Sequence, residues 1–240
     1  MQVQKEIERI TAFLQNEIGN RTPVLAISGG IDSALALMLL KEAFAERNIL
    51  AYFMPDSITP KADYQDVEAL GIASGINIKT LNIDQVVSSF STLLGVNSKE
   101  ALGNIKSRTR MVILFYIANV NNGMVVGTTN RSEYTVGYYT KYGDGACDIE
   151  PIMHLLKRDV RELAAVLNVP KSIIDKKPSA GLWESQTDES ELGMTYEELD
   201  NIIVTLFDRK QEAVDPKQQR VMGLYMGSEH KRRLPISMSD

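Results

Sequence analysis

Cysteine is nearly absent from this chain: Cys147 is the only one in 240 residues. No intramolecular disulfide can form, and no cysteine-based zinc site can be built. Cys147 itself reads as a small residue in or near the core. Long hydrophobic runs are absent too. No apolar stretch approaches the ~20 residues of a membrane span, and the N-terminus, Met1 to Glu6, lacks the apolar core of a signal peptide. The expectation is a cytoplasmic protein with no membrane partner. Positive charge is not in excess either. The net charge is -5 at pH 7, whereas extensive nucleic-acid binding usually shows as a basic face. No nucleic-acid partner is expected. Internal repeats and low-complexity segments are also missing. A composition of 44% hydrophobic and 24% charged residues is ordinary for a globular protein. The length suits one α/β domain, so residues 1–240 are read as a single domain.

What is present centres on Val24-Leu25-Ala26-Ile27-Ser28-Gly29-Gly30-Ile31-Asp32-Ser33. It reads as a buried strand, a tight turn through two glycines, then a helix over 33–46 for which Asp32 and Ser33 look like a capping pair. Glycine lets the backbone turn sharply and approach a ligand closely. The free N–H groups of a first helical turn, with the helix dipole, favour a phosphate. Ser28 and Ser33 add hydroxyls. Asp32, expected to be solvent-accessible, is placed to hold Mg²⁺ against that phosphate. The Gly-Lys-Ser/Thr ending of a Walker A loop is missing, as is the Gly-x-Gly-x-x-Gly turn of dinucleotide folds.

Around this stretch the pattern alternates. Val3, Ile7, Ile10, Phe13, Leu14 and Ile18 have helical spacing over 3–18. Further strands are expected at 49–54, 77–83 and 124–127, with helices at 61–74, 84–94 and 104–120, the last closed by Asn121-Asn122-Gly123. Strand and helix in turn imply a parallel sheet with right-handed crossovers, and ligands then sit beyond the carboxyl ends of the strands. Ser28–Ser33, Pro55–Lys61, Leu81–Asp84 and Thr128–Glu133 should line that edge. Glu133 reads equally as a second Mg²⁺ ligand beside Asp32 or as a helix-start carboxylate. Lys106, Arg108 and Arg110 would place three cations at a helix start, against the dipole, which an anionic ligand would offset. Beyond 134, residues 138–148 read as a glycine- and tyrosine-rich loop. Helices are expected at 157–167, 196–207 and 216–226. A mobile surface loop carrying Trp183, the single tryptophan, is expected at 176–193. The segment from His230 to Arg233 is basic.

A strand followed by Ser-Gly-Gly-x-Asp-Ser resembles the PP-loop of the ATP pyrophosphatases, which cleave ATP between the α and β phosphates. Together with Asn104 to Met111, Gly127 to Glu133, Gly137 to Gly145 with Asp148, Arg161 to Ala164, Gly181 to Glu189 and His230-Lys231-Arg232, the chain is similar to the NAD⁺ synthetase family from about residue 5 to about residue 236. That resemblance implies a Rossmann-like three-layer α/β fold, a parallel sheet with helices on both faces. It implies ammonia-dependent conversion of deamido-NAD⁺ to NAD⁺, with ATP as co-substrate and Mg²⁺ as cofactor, in a homodimer. Ala26, Ile27, Ser28, Gly29, Gly30, Ile31, Asp32 and Ser33 would bind the ATP phosphates, with Thr128, Lys157 and Ser179 also on ATP. Asp32 and Glu133 would hold the metal. Arg108, Lys141, Asp148, His230 and Lys231 would meet deamido-NAD⁺, whose pyrophosphate and carboxylate call for cations. Catalysis would rest on Asp32, Lys157 and Asp148, the last steering or deprotonating the incoming nitrogen. Too little chain precedes the PP-loop for a glutaminase domain, so ammonia is the expected nitrogen donor. Leu155-Leu156-Lys157-Arg158 departs from the more frequent Leu-Tyr-Lys-Thr but keeps the lysine, and His154 reads as a surface residue. Two other readings stay open: a different PP-loop enzyme acting on tRNA or a nucleobase, and a non-catalytic ATP-binding protein.

Overall fold

The computed structural model describes residues 2–44, 48–183, 186–233 and 235–238. In chain order the elements are α1 (Val3–Ile18), β1 (Thr22–Ile27), α2 (Ile31–Ala43), β2 (Leu50–Phe53), α3 (Lys61–Ser74), β3 (Ile78–Thr80), α4 (Asp84–Leu94), α5 (Lys99–Val120) and β4 (Gly123–Val126). Then follow α6 (Arg131–Val136), α7 (Lys157–Val166), α8 (Lys171–Ile174), α9 (Asp188–Leu192), α10 (Tyr196–Ile203), a π-helical turn (Val204–Asp208), α11 (Pro216–Gly227) and α12 (Glu229–Arg232). The four strands are all parallel, in the order β3-β2-β1-β4.

Alternation along β1 makes the three layers. Leu25 and Ile27 face a core closed by α1, α2, α3, α7 and α8. Val24 and Ala26 face the opposite core, closed by α4 and α5. Strands β1, β2 and β4 are buried on both faces, as a parallel sheet requires, while the edge strand β3 leaves Lys79 and Thr80 exposed. The order of the strands reverses at β1, between β2 and β4, and such a switch point opens a crevice beyond the strand ends. A third cluster, built from α6, α9, α10 and α11, packs Tyr196, Leu199 and Ile203 over the side of that crevice. Among the described residues no helix is long and apolar enough to cross a membrane.

Several boundaries differ from the sequence reading, each for a local reason. The helix after the glycine turn begins at Ile31, with Gly30 as its N-cap and no side-chain cap. Ser33 therefore caps nothing: its hydroxyl donates to the Gly30 carbonyl at 3.0 Å. The predicted end of that helix, 45–46, lies outside the described residues. Helix α5 starts at Lys99, where Ser98 accepts from the Ala101 N–H at 3.1 Å. Lys106, Arg108 and Arg110 thus lie well inside it, beyond the reach of the terminal dipole. Lys106 is paired instead with buried Asp56 at 3.0 Å. Strand β3 stops at Thr80 because Asn82 turns the chain, its side-chain oxygen accepting from the Asp84 N–H at 2.8 Å. At the end of α5 the left-handed residue is Asn122 (φ 48°). Gly123 opens β4 there, where a Cβ would sit 2.8 Å from both Ala118 Cα and Val24 Cγ2. The segment predicted as one mobile loop over 176–193 contains α9 and, among its described residues, three buried side chains, Gln186, Asp188 and Leu192. Within it, residues 184 and 185 lie outside the described residues. Trp183 is seated on α5 against Gly103, with the Lys99 ammonium 5.1 Å from its ring centre.

Candidate active site

The glycine turn holds itself open. The Ser28 hydroxyl lies 3.1 Å from that of Ser33 and accepts from the Gly30 N–H at 3.2 Å. The Ser28 N–H donates to Ser33 Oγ, also at 3.2 Å. Gly29 has φ +81°, a conformation that only glycine adopts freely. Because the N-cap is a glycine, no side chain competes for the first N–H groups of α2, the arrangement that favours an anion. Ala26 and Ile27 form the end of the strand beneath, and Ile31 starts the helix.

Beside this turn lies a buried ion cluster. Lys157, first residue of α7, has a side chain only 3% exposed, and its Nζ sits 2.5 Å from Asp32 Oδ2 and 2.9 Å from Glu133 Oε1. Asp32 Oδ1 accepts from Asn130 Nδ2 at 2.8 Å. Asn130 caps α6, its side-chain oxygen accepting from the Glu133 N–H at 2.9 Å. Glu133 Oε2 returns the contact to the Asn130 N–H at 3.4 Å. Glu133 is thus the helix-start carboxylate through one oxygen and a ligand of the ammonium through the other. Burial, with the Asp32 charge adding to it, pushes the Glu133 carboxyl up to about 7, and the Lys157 ammonium pulls the other way. For Lys157 burial disfavours the charge, but the two carboxylates outweigh it and raise its pKa above the ordinary lysine value.

The C-terminal helices aim this lysine. The Tyr196 ring lies under Nζ, 4.8 Å from its centre. The Tyr196 hydroxyl donates to Asp188 Oδ2 at 3.0 Å and lies 3.3 Å from Glu133 Oε1. Asp200 is 1% exposed, takes the Arg158 N–H at 2.9 Å and the Ser132 hydroxyl, and so ties the starts of α6 and α7 together. The sequence reading placed Asn130 and Asp188 only within longer segments and gave no role to either, nor to Tyr196 or Asp200. Only Asn130 had a legible signal, since Asn130-x-x-Glu133 is a capping box.

Four of the remaining predicted residues, Arg108, Lys141, Asp148 and Lys231, lie on or around the loop from 137 to 150. Asp148 accepts from the Val125 N–H at 2.8 Å. The Arg108 guanidinium donates to the Lys141 carbonyl at 3.2 Å, and the Lys141 ammonium lies over the ring of Tyr142. Lys231 Nζ donates to the carbonyls of Gly137 and Tyr139, both at 2.6 Å. His230 is exposed on α12. Thr128 is half-buried just past β4. Ser179 lies on the segment beyond α8, its hydroxyl donating to the Gln186 carbonyl at 2.7 Å. Asp32, Glu133 and Lys157 are brought together with the glycine turn. Arg108, Lys141, Asp148 and Lys231 are gathered separately, around one loop.

Glu150 was not anticipated. Its Oε2 accepts from the Thr129 N–H at 3.2 Å, and a Cβ on Gly127 would lie 2.4 Å from its Cδ. Burial pushes its carboxyl up to about 7. Burial also raises the neighbouring Cys147 thiol above its ordinary value, which keeps it from acting as a thiolate.

A family model described as NAD synthase matches residues 6–235. The chain belongs to the NAD synthase family. The NH(3)-dependent NAD(+) synthetase of Thermoplasma volcanium is 54% identical over 98% of both chains. Among solved structures, the NMN synthetase of Francisella tularensis superposes with a TM-score of 0.91 at 34% identity, covering 100% of each chain. The NH3-dependent NAD synthetase of Campylobacter jejuni, solved with a nitrate ion, gives 0.86 at 29% identity over 100% of each. The parallel Rossmann-like sheet is therefore the fold of the NAD synthases.

Proposed function

We propose that this chain is an ammonia-dependent NAD⁺ synthetase of a single domain, which amidates deamido-NAD⁺ at the expense of ATP. The observation that carries the proposal is Lys157, buried between Asp32 and Glu133 beside the glycine turn, in a chain matched by the family from end to end of its fold. In the first step the nicotinate carboxylate attacks the α phosphorus of ATP. Pyrophosphate leaves, and an acyl adenylate remains. Ammonia then attacks the acyl carbon, AMP departs, and the lost proton passes to solvent or a nearby carboxylate. The α2 N-terminus, Ser28 and Ser33 bind the phosphates, and Thr128 and Ser179 complete the nucleotide pocket. Lys157 neutralises charge as it develops on the leaving group, a stabilisation that acts in the transition state. Arg108, Lys141, His230 and Lys231 face the second substrate, and Asp148 steers the nitrogen.

The carboxylate pair fits Mg²⁺. Its oxygens already share one buried cation, and Mg²⁺ takes one or two carboxylates with phosphate oxygens and water. Asp32 and Glu133 would hold it, and it would neutralise phosphate charge there. The reaction, ATP use and the single free cysteine suit a cytoplasmic enzyme.

The test is product analysis. ATP should be consumed with deamido-NAD⁺ and ammonium together, giving AMP, pyrophosphate and NAD⁺, and glutamine should not replace ammonium. Without ammonium, pyrophosphate–ATP exchange should still depend on deamido-NAD⁺. ADP as product would overturn the reading. Preference for the mononucleotide, nicotinate ribotide, would shift it to NMN synthesis.

The enzyme is also proposed to be a symmetric homodimer. Helix α1 finds its partners within the chain, α2 and α7, so it does not need a second subunit. Helix α5 does: Val112, Tyr116 and Val120 are each at least 60% exposed on one stripe, in line with Arg108. Light scattering at micromolar concentration should give twice 26.7 kDa, and Tyr116→Glu should halve it. A monomeric, fully active wild type would refute the dimer.

A further inference from the structure

Behind the glycine turn lies a second ion cluster that the reaction above does not use. Lys176 follows α8 directly, and its Nζ donates to Asp63 Oδ1 at 2.5 Å, to Asp66 Oδ2 at 2.9 Å and to the Gly29 carbonyl at 3.2 Å. The side chains of Asp63 and Asp66 are 14% and 8% exposed, and that of Lys176 is 31% exposed. One ammonium thus joins three separate pieces: the start of α3, the glycine turn, and the chain leading to Ser179.

The contact to Gly29 has a direct consequence. A peptide unit is planar, so its C=O and the next N–H point in opposite directions. Holding the Gly29 carbonyl fixes the plane that also carries the Gly30 N–H, which points to Ser28 Oγ at 3.2 Å. A two-glycine turn has little intrinsic preference for one orientation of that plane. The turn is also backed by α3: a Cβ on Gly29 would lie 3.3 Å from Asp63 Cβ. Lys176 therefore supplies an orientation that the glycines themselves leave free. Three residues further on, Ser179 starts the segment that turns back on itself through Gln186 and Gly181. The other end of that segment is held by Asp188, bonded to Tyr138 and Tyr196.

We infer that Lys176 is a positioning residue for the nucleotide, orienting the phosphate-binding turn through the Gly29 carbonyl and tying that turn to the Ser179 segment. It does not touch the reacting atoms. Its two aspartates neutralise it and keep it directed at the carbonyl, so it does not act as a free phosphate-binding cation. This role rests on the assignment of the glycine turn to ATP.

The experiment pairs equilibrium binding with steady-state kinetics on the full chain. Calorimetry with a non-hydrolysable ATP analogue needs no assumption about the second substrate. Lys176→Met should weaken that binding about 10-fold and lower kcat/KM for ATP by 10- to 100-fold, the cost of misplacing a bound reactant by about 1 Å. KM for deamido-NAD⁺ should move less than twofold. Lys176→Arg, which still reaches the carboxylates, should recover part of the loss. Asp63→Asn keeps the lysine but loosens its aim, and should raise KM for ATP about threefold. This variant carries the test if Lys176→Met fails to fold. Unchanged analogue binding in folded Lys176→Met overturns the inference. So does an equal rise in both KM values, or a lower melting temperature with kinetics intact. A wild type that binds the analogue but makes no NAD⁺ would sink the functional reading and leave the Lys176 inference standing.

Discussion

Replacing Lys157 with methionine is expected to lower NAD⁺ formation about 10³-fold, the upper range for losing one preorganised charge from a transition state. The shape of the side chain is largely kept, so the loss reports the ammonium. A second effect follows from burial. With the ammonium gone, Asp32 and Glu133 face one another without a cation in a site where their side chains are 17% and 15% exposed. Breaking a buried pair in this way costs about 3–5 kcal/mol. That penalty should depend on pH, with a definite sign. Burial already pushes Glu133 up to about 7 in the wild type, and removing the lysine pushes it higher. A carboxyl raised in the folded state contributes stability that is fully present below its unfolded value, about 4.3. That contribution is lost as the pH rises through the folded value. The variant should therefore approach wild-type stability near pH 5 and fall furthest behind above pH 7. Urea unfolding midpoints of both proteins at pH 5 and pH 8, without nucleotide, measure this. An equal deficit at both pH values would mean that Lys157 does not hold the carboxylates together.

The sequence made most of the sheet and helices α7, α10 and α11 legible and left the start of α5, α6 and α9 illegible, and the difference is physical. Strands β1 and β2 are short apolar runs ended by glycine or proline, and α3 and α4 have clean starts and glycine stops. Their bounds were readable. The first turns of α5 were not, because Lys99 to Gly103 contains a single large apolar residue, Leu102, and a glycine. Helix α6 has only six residues, too few for a periodic pattern, and its capping box showed only as the helix-start alternative for Glu133. At the site, Asp32 and Glu133 were readable because each follows a strand at the carboxyl edge. Their shared cation was named through family resemblance alone. Lys157 lies 125 residues from Asp32, and no local pattern tells that α7 will start against that edge. Tyr196 and Asp188 were illegible for the same reason, since their roles arise only when the C-terminal cluster packs over the crevice. The half-buried Lys176 cluster left no sequence signal beyond a lysine in a polar loop.

Asp32→Asn is expected to cut turnover by about 10²-fold or more, and it tests most directly the proposal that the glycine turn binds phosphate. The substitution keeps the shape and the first turn of α2 but removes one of the two charges that would hold Mg²⁺. The sequence reading placed Asp32 in solvent, with little effect on folding. In the structure it is half-buried and holds both Lys157 and Asn130. An asparagine can still accept from Asn130 through its oxygen, but its amide group then faces the ammonium and cannot accept from it. Lys157 is left with Glu133 alone. A loss of about 1–3 kcal/mol in folding stability should therefore accompany the kinetic one, the cost of an unmade buried hydrogen bond to a charge. Pyrophosphate–ATP exchange should fall in parallel with overall turnover, because the first step is the one that needs this carboxylate. Ammonium dependence should stay as in the wild type, because Asp32 lies beside the glycine turn and the residues proposed to meet the second substrate gather around the 137–150 loop. Exchange at the wild-type rate with slow NAD⁺ formation would instead place Asp32 in the amidation step. Near-normal activity in both assays would remove the glycine turn, and the family mechanism with it, from the phosphate chemistry.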